Sequence, residues 1–287
     1  MMNELPFPAD ELEHSNQAAE WDHLAERLAE HENWDQAAAA LQQAAEADPF
    51  QLWRWLAIAR WRKQCGQIAQ AIATISHAIN LPQTTPKSTF TEADSWLPQD
   101  ETVLWSELAY LYAQDSRWEE CERACLEALE RDANSIQIME LMATACLQTL
   151  HLDAAEQLLQ NLLQRAPLDP WFRLRYATLL QMQGKTGDAQ RELQRLLAMK
   201  IPAPLKEEVH QHMQHLDDLQ IQQIAALLQN TPGLPATMAR DPRQQLEAMG
   251  FHVTDPAIET IQNLLWEHFN QSPWLSLERQ NGSPRLH

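Results

Sequence analysis

The sequence predicts an all-α protein, and three observations carry that prediction. Only 6 of 287 residues are Gly, and Gly costs about 1 kcal/mol in a helix interior. Val, Ile and Thr nowhere alternate with polar residues over a strand's length. The chain also repeats itself: "ENWDQAAAAL" from Glu32 is echoed by "SRWEECERAC" from Ser116, with Trp34 and Trp118 in matching places 84 positions apart.

Composition excludes several function classes. The net charge of -19 argues against a nucleic-acid backbone as partner, because that affinity rests on Lys and Arg releasing counterions. No apolar run reaches the roughly 18–20 residues that a membrane span needs. The start, "MMNELPFPADELEH", lacks a basic leader and an apolar signal core. The four cysteines form no CxxC pair, and Cys121 and Cys125 lie one helical turn apart, as two small core residues would. The expectation is a reduced, cytoplasmic protein.

Residues 1–17 are acidic and read as a flexible tail. The period of 34 begins after them. Trp21 and Trp55 are 34 apart, as are Ala37 and Ala71, and Ala44 and Ala78. A second series runs Trp105, Leu108, Ala109, Tyr112, then Met139, Met142, Ala143, Cys146, then Arg173, Tyr176, Ala177, Leu180. The 84 residues from Trp34 to Trp118 are two periods and an insertion of 16, which gives five copies over 18–203. Ala25, Ala59, Ala109, Ala143 and Ala177 place a small residue on each first helix. Ala37, Ala71, Cys121, Ala155 and Ala189 do so on each second helix, and small residues let two helices approach closely. Pro49, Pro82 and Pro167 stop second helices, and Gly66 and Gly184 fall at the turn inside a pair.

This arrangement of Trp, Leu or Ala, Tyr, Ala and Pro at a 34-residue period resembles the tetratricopeptide repeat, a helix–turn–helix unit. The resemblance implies a right-handed α-solenoid of five helix pairs. Departures are Arg62 and Arg173 at expected core positions, and Ala133 where a closing Pro belongs. Residues 83–101 form an inserted loop with Phe90, Trp96 and Leu97, and 204–230 read as a capping helix. Residues 231–287 match no family pattern. There Asp241-Pro242 starts a short helix that Gly250 ends, and Thr254 or Asp255 before Pro256 starts another, with a frayed tail after it.

Candidate chemistry is sparse. "GKT" at 184–186 lacks the first Gly of a phosphate loop. His212 and His215 share a helix face, but His210 points elsewhere and no further ligand completes a metal site. No catalytic residue, metal or cofactor is expected, so the chain reads as a non-enzyme. The resemblance implies instead a concave groove lined by first helices and contacted by a peptide or partner protein. Projecting that stripe names Trp53, Leu56, Arg60, Lys63, Tyr110, Gln114, Gln148, Trp171 and Thr178 as partner-binding candidates. Exposed aromatic and Arg residues dominate interface hot spots. The stripe lacks the Lys and Asn set with which some arrays clamp chaperone C-termini, having Asp22, Glu26, Leu56, Arg60 and Ser106 there.

Charge is segmented along the chain. Residues 1–50 carry 12 acids and 1 base, 51–100 carry 3 acids and 5 bases, and 101–150 carry 10 acids and 3 bases. Arg54, Arg60, Arg62 and Lys63 thus read as a basic island suited to an acidic, hydrophobic peptide. The chain's own start, with Leu5, Phe7 and Leu12 among acids, has that composition and is a candidate occupant. The expected function is a scaffold or adaptor. The alternative is a regulatory or assembly subunit that docks on an enzyme through the C-terminal helices.

Overall fold

The computed structural model describes residues 9–81, 101–231 and 233–271; the expected loop at 83–101, apart from Glu101, and the expected frayed tail from 272 lie outside them. The described residues are helical, with no strand among them. The chain divides into two compact units, Met1–Leu158 and Leu159–His287.

The first unit holds α1 (Ala9–Glu30), α2 (Trp34–Ala47), α3 (Leu52–Gln64), α4 (Ile68–Ile79), α5 (Glu101–Gln114), α6 (Trp118–Arg131), α7 (Ile136–Gln148) and the start of α8 (Leu152–Arg165). Consecutive helices from α1 through α7 pack on one another, and α5 also meets α7. The second helix of each pair begins at Trp34, Ile68, Trp118, Leu152 and, in the second unit, Thr186, at steps of 34, 50, 34 and 34 residues. Both alanine series are buried: Ala25, Ala59, Ala109, Ala143, Ala37, Ala71, Cys121, Ala155 and Ala189 are fully enclosed, and Ala177 is nearly so.

The turn inside each pair is one motif made five times. Glu32, Gly66, Ser116, Leu150 and Gly184, two residues before each second helix, all have positive φ, between 56° and 75°. The amide after each donates five residues back, as in Asn33 to Leu28 O, Gln67 to Arg62 O, Arg117 to Tyr112 O, His151 to Cys146 O and Lys185 to Leu180 O, every one at 2.9 Å. This is the Schellman closure, which satisfies carbonyls a helix end leaves bare.

The departures from the repeat pattern are compensated locally. Trp55 Nε1 donates to the Pro49 carbonyl at 2.8 Å, and Arg173, at the matching repeat position, donates through Nη2 to the Pro167 carbonyl at 3.2 Å. Arg173 thereby keeps the bond of the Trp it replaces, and its Nη1 reaches buried Glu192 at 2.7 Å. Arg62 donates to Thr74 Oγ1 and Gln42 Oε1, and burial holds its guanidinium below the usual arginine range. A polar bridge between helices stands where an aromatic ring is expected.

The start of the chain departs from expectation. Helix α1 begins at Ala9, so the expected flexible tail 1–17 is helical over its second half. The reason is local: after Pro8 the run "ADELEHSNQ" contains no helix breaker. Of the segment expected to occupy the basic island, residues 9–14 lie within this helix, and Leu5 and Phe7 lie outside the described residues.

The second unit contains the rest of α8, then α9 (Pro170–Met182), α10 (Thr186–Leu197), α11 (Ala203–Asn230), α12 (Leu234–Met238), α13 (Pro242–Ala248) and α14 (Asp255–Gln271). Asp169 caps α9 by accepting from Trp171 N at 2.8 Å, with Pro170 pre-setting φ. Leu205, Val209, Met213 and Leu216 of α11 close the apolar core begun by Leu174, Ala177, Leu180, Leu193 and Leu196. The short α12 is an element that sequence periodicity, needing more than one turn, does not reveal.

Past that core, α11 carries the C-terminal helices. Ile224 and Leu228 enclose Met238, Leu246, Val253, Ala257, Ile261 and Leu265 in a second cluster. A polar seam then ties the α13–α14 connection down. The Gln220 amide both donates to the His252 carbonyl and accepts from the His252 amide, each at 2.9 Å. Asp217 accepts from Thr254 N at 3.1 Å, from the Thr254 hydroxyl and from Gln190 Nε2 at 3.1 Å. Burial pushes the Asp217 carboxyl above its usual range, against the pull of Thr254. Gly187 on α10 permits the closest approach: a Cβ there would lie 2.2 Å from the Gly250 carbonyl oxygen.

The turn and the seam each yield a measurable consequence. An added Cβ at Gly184 meets nothing within 4 Å, so Gly184→Ala costs only the left-handed backbone, about 1 kcal/mol. Leu150→Gly relieves that strain while loosening the unfolded chain by about 0.4–1 kcal/mol, giving no net loss. Urea midpoints measure both, and a clear loss for Leu150→Gly contradicts the strain argument. Gly187→Ala forces the 250–254 segment off α10 at a cost of about 1–3 kcal/mol. Its signature is faster amide exchange at His252 and Thr254, and unchanged exchange would remove Gly187 from the seam.

Candidate protein-binding surface

In the first unit the structure brings part of the predicted stripe together and redirects the rest. Trp53 is half-buried against the core, its ring 5.3 Å from the Arg54 guanidinium. Leu56 is 3% exposed and belongs to the core, so it offers no side chain to a partner. Two of the four island cations are structural. Arg54, itself buried, donates through Nε and Nη2 to the Asp22 carboxylate at 2.9 and 2.8 Å, and through Nη1 to Asp48 at 3.1 Å. Arg62 forms the bridge between helices already described. The island reduces to Arg60 and Lys63.

Those two face a residue that sequence reasoning did not name. Arg60 Nε lies 3.8 Å from Glu107 Oε2, and Lys63 Nζ lies 3.7 Å from Glu107 Oε1. Both separations exceed a hydrogen bond, and neither cation makes one among the described residues. Glu107 sits on α5 one turn before Tyr110, and that spacing was the available signal. Tyr110 is 38% exposed. Burial first, then nearby acidic groups led by Glu140 of α7, raise its phenol above the usual tyrosine range. Arg60 and Lys63, Glu107, Tyr110 and Glu140 therefore form a row across α3, α5 and α7. Gln114 and Gln148 are exposed at the ends of α5 and α7.

In the second unit, Trp171 is half-exposed at the start of α9, and Leu168, just before the helix, is 80% exposed. Thr178 donates its hydroxyl to the Leu174 carbonyl at 3.1 Å, which leaves its oxygen only as an acceptor for a ligand. On α11, His210 Nδ1 lies 2.6 Å from the Lys206 carbonyl, and His212 is partly buried.

The core thiols shift in opposite directions, Cys121 being lowered by its hydrogen bond with Cys125. Cys125 is held protonated by its hydrogen bond with Cys121 and by burial, and burial pushes Cys146 up to about 12. All four cysteines are free. No described helix is long and apolar enough to cross a membrane.

Comparison with known proteins agrees with this architecture. Residues 151–200 match the family model described as tetratricopeptide repeat. No curated protein matches the sequence. Among solved structures, YrrB, described as a TPR protein with an unusual peptide-binding site, superposes with a TM-score of 0.55 at 12% identity, covering 71% of this chain and 98% of YrrB. A MamA fragment (41-end) from Desulfovibrio magneticus RS-1 gives 0.52 at 8% identity over 64% of this chain and 95% of its own. Another MamA structure gives 0.52 at 12% identity, covering 63% and 91%. With the buried alanine series and the five equivalent turns, these matches show a fold of the tetratricopeptide-repeat kind, and residues 151–200 match that family itself.

Proposed function

We propose that the chain is a non-catalytic interaction scaffold or adaptor, working in the cytoplasm, that binds a partner protein segment across α3, α5 and α7. One observation carries this reading: Arg60 and Lys63 present charge-bearing donors on the first-helix face without making a hydrogen bond among the described residues, although Arg54 on the same helix is saturated. Charged donors held near a surface but not consumed by the fold are suited to a partner's acceptors. Half-buried Trp53 and exposed Tyr110, Gln114 and Gln148 supply aromatic and amide contacts along the same stripe. YrrB carries a peptide-binding site on a fold of this kind, which supports the same use here. On α9, Trp171 offers a separate aromatic contact.

The alternative is docking on an enzyme through the C-terminal helices. Ala257, Ile261 and Leu265 of α14 are consumed by the core, while Glu259, Gln262, Asn263, Trp266 and Glu267 are exposed on the same helix.

A photo-crosslinking residue at Gln114 should capture a partner in cells, and one at Glu130, exposed on α6, should not. Arg60→Glu with Lys63→Glu should cut the Gln114 adduct at least tenfold, as loss of a partly buried charged contact worth roughly 1.5–3 kcal/mol requires. Equal capture at both sites, or capture that ignores the charge reversal, would place binding elsewhere.

A further inference from the structure

The Glu107 carboxylate is the group that keeps Arg60 and Lys63 in check. Its side chain is only 13% exposed, yet it holds both cations at 3.7–3.8 Å, beyond bonding distance. Arg54, six residues earlier on α3, shows what this chain does when an arginine is structural: 8% side-chain exposure and three bonds of 2.8–3.1 Å to two carboxylates. Arg60 is the reverse. Its side chain is 59% exposed, its Nε faces Glu107 loosely, and it has no hydrogen bond among the described residues. Lys63, 31% exposed, shares the same carboxylate.

We propose that Glu107 is a built-in counter-ligand: it occupies the Arg60–Lys63 pair weakly, and an acidic side chain of a partner segment takes over those cations on binding. The inference rests on the reading that this face is the binding surface. Charge complementarity selects the occupant. Both cations face the Glu107 carboxylate loosely, with Glu140 the next acid along the row, so a partner Asp or Glu that reaches them exchanges a loose contact for a bonded one. A carboxylate that reaches Arg60 within about 2.7–2.9 Å forms charge-assisted bonds that Glu107, at its present distance, does not. Glu107 thus sets a threshold. It weakens every acidic ligand by competing for the same cations, and it spares the protein an uncompensated pair when no ligand is present. Tyr110, on the next turn of α5, offers a hydroxyl beside the same spot.

The test uses the full chain and a fluorescein-labelled tetraglutamate peptide at low ionic strength, read by anisotropy and by the Arg60 Nε resonance. Glu107→Gln keeps the side chain's shape and removes its charge; it should tighten binding about tenfold, the scale of one unit charge beside a partly exposed site. Glu130→Gln on α6 changes the net charge equally and should change affinity less than about twofold, since a distant exposed charge is screened. Arg60→Glu with Lys63→Glu should abolish binding in either background, with circular dichroism confirming the fold. If Glu107→Gln leaves affinity unchanged or lowers it while charge reversal still abolishes binding, the surface stands and the counter-ligand role is wrong. If charge reversal has no effect, or neither the native chain nor Glu107→Gln binds the peptide, the surface and the inference both fall.

Discussion

Two helices bring their backbones close only where the side chains between them are small, and this chain meets that constraint at the same two positions in every pair. The alanines from Ala25 to Ala177 on first helices, and Ala37, Ala71, Cys121, Ala155 and Ala189 on second helices, are buried to within 2%. Everything else adjusts to that contact. The helices must be 12–14 residues long from α2 to α10, and a short turn must return the chain on itself. A left-handed residue does that most economically, which is why Glu32, Ser116 and Leu150 accept a conformation that Gly66 and Gly184 adopt without strain. Close contact tolerates little variation, so it is the part of the repeat that persists where aromatic positions have drifted to arginine.

That hierarchy explains what was legible in the sequence. Period, helix pairs and core alanines could be read because each is a local pattern repeated five times. The cap of α13 could be read because Asp-Pro is a local signal as well. The start of α1 could not, because acidic composition suggests disorder even in a stretch with no helix breaker. Leu56 was misplaced for a geometrical reason: it lies three residues from Trp53 and four from Arg60, and a face drawn from spacing alone does not separate the core edge from the surface. Arg54 and Arg62 counted as surface charge because most of their partners are distant in sequence, Asp22 at 32 residues from Arg54, and Gln42 and Thr74 at 20 and 12 from Arg62. The spacing of Glu107 one turn before Tyr110 could have put it on the stripe, but only the packing of helices brings it to Arg60 and Lys63 on α3.

The C-terminal seam carries this furthest. Gln220 reads the backbone of His252 as a neighbouring strand would, and Asp217 reaches Thr254 across 37 residues of sequence. A buried carboxylate and two buried amides cost solvation that hydrogen bonds must offset. Their partners are largely main-chain groups, so no side-chain pattern announces them. An apolar seam would hold equally well but would tolerate sliding. A paired amide and a carboxylate with assigned donors fix one register, which matters where Gly187 admits a carbonyl and no Cβ.

The electrostatics of the first unit follow from the same division between structural and unspent groups. A chain of net charge -19 repels anions at long range, but fields between exposed charges fade beyond a Debye length of about 8 Å at physiological salt. At contact, the local pair decides. Arg54 and Arg62 are consumed inside the fold, so the cations on the first-helix face are Arg60 and Lys63, with Glu107 of α5 facing them. An acidic ligand that reaches this face therefore finds attraction at the Arg60–Lys63 pair, which converts weak affinity into defined position. Glu107 sharpens this further, because a ligand must offer a better-placed carboxylate than the one already there.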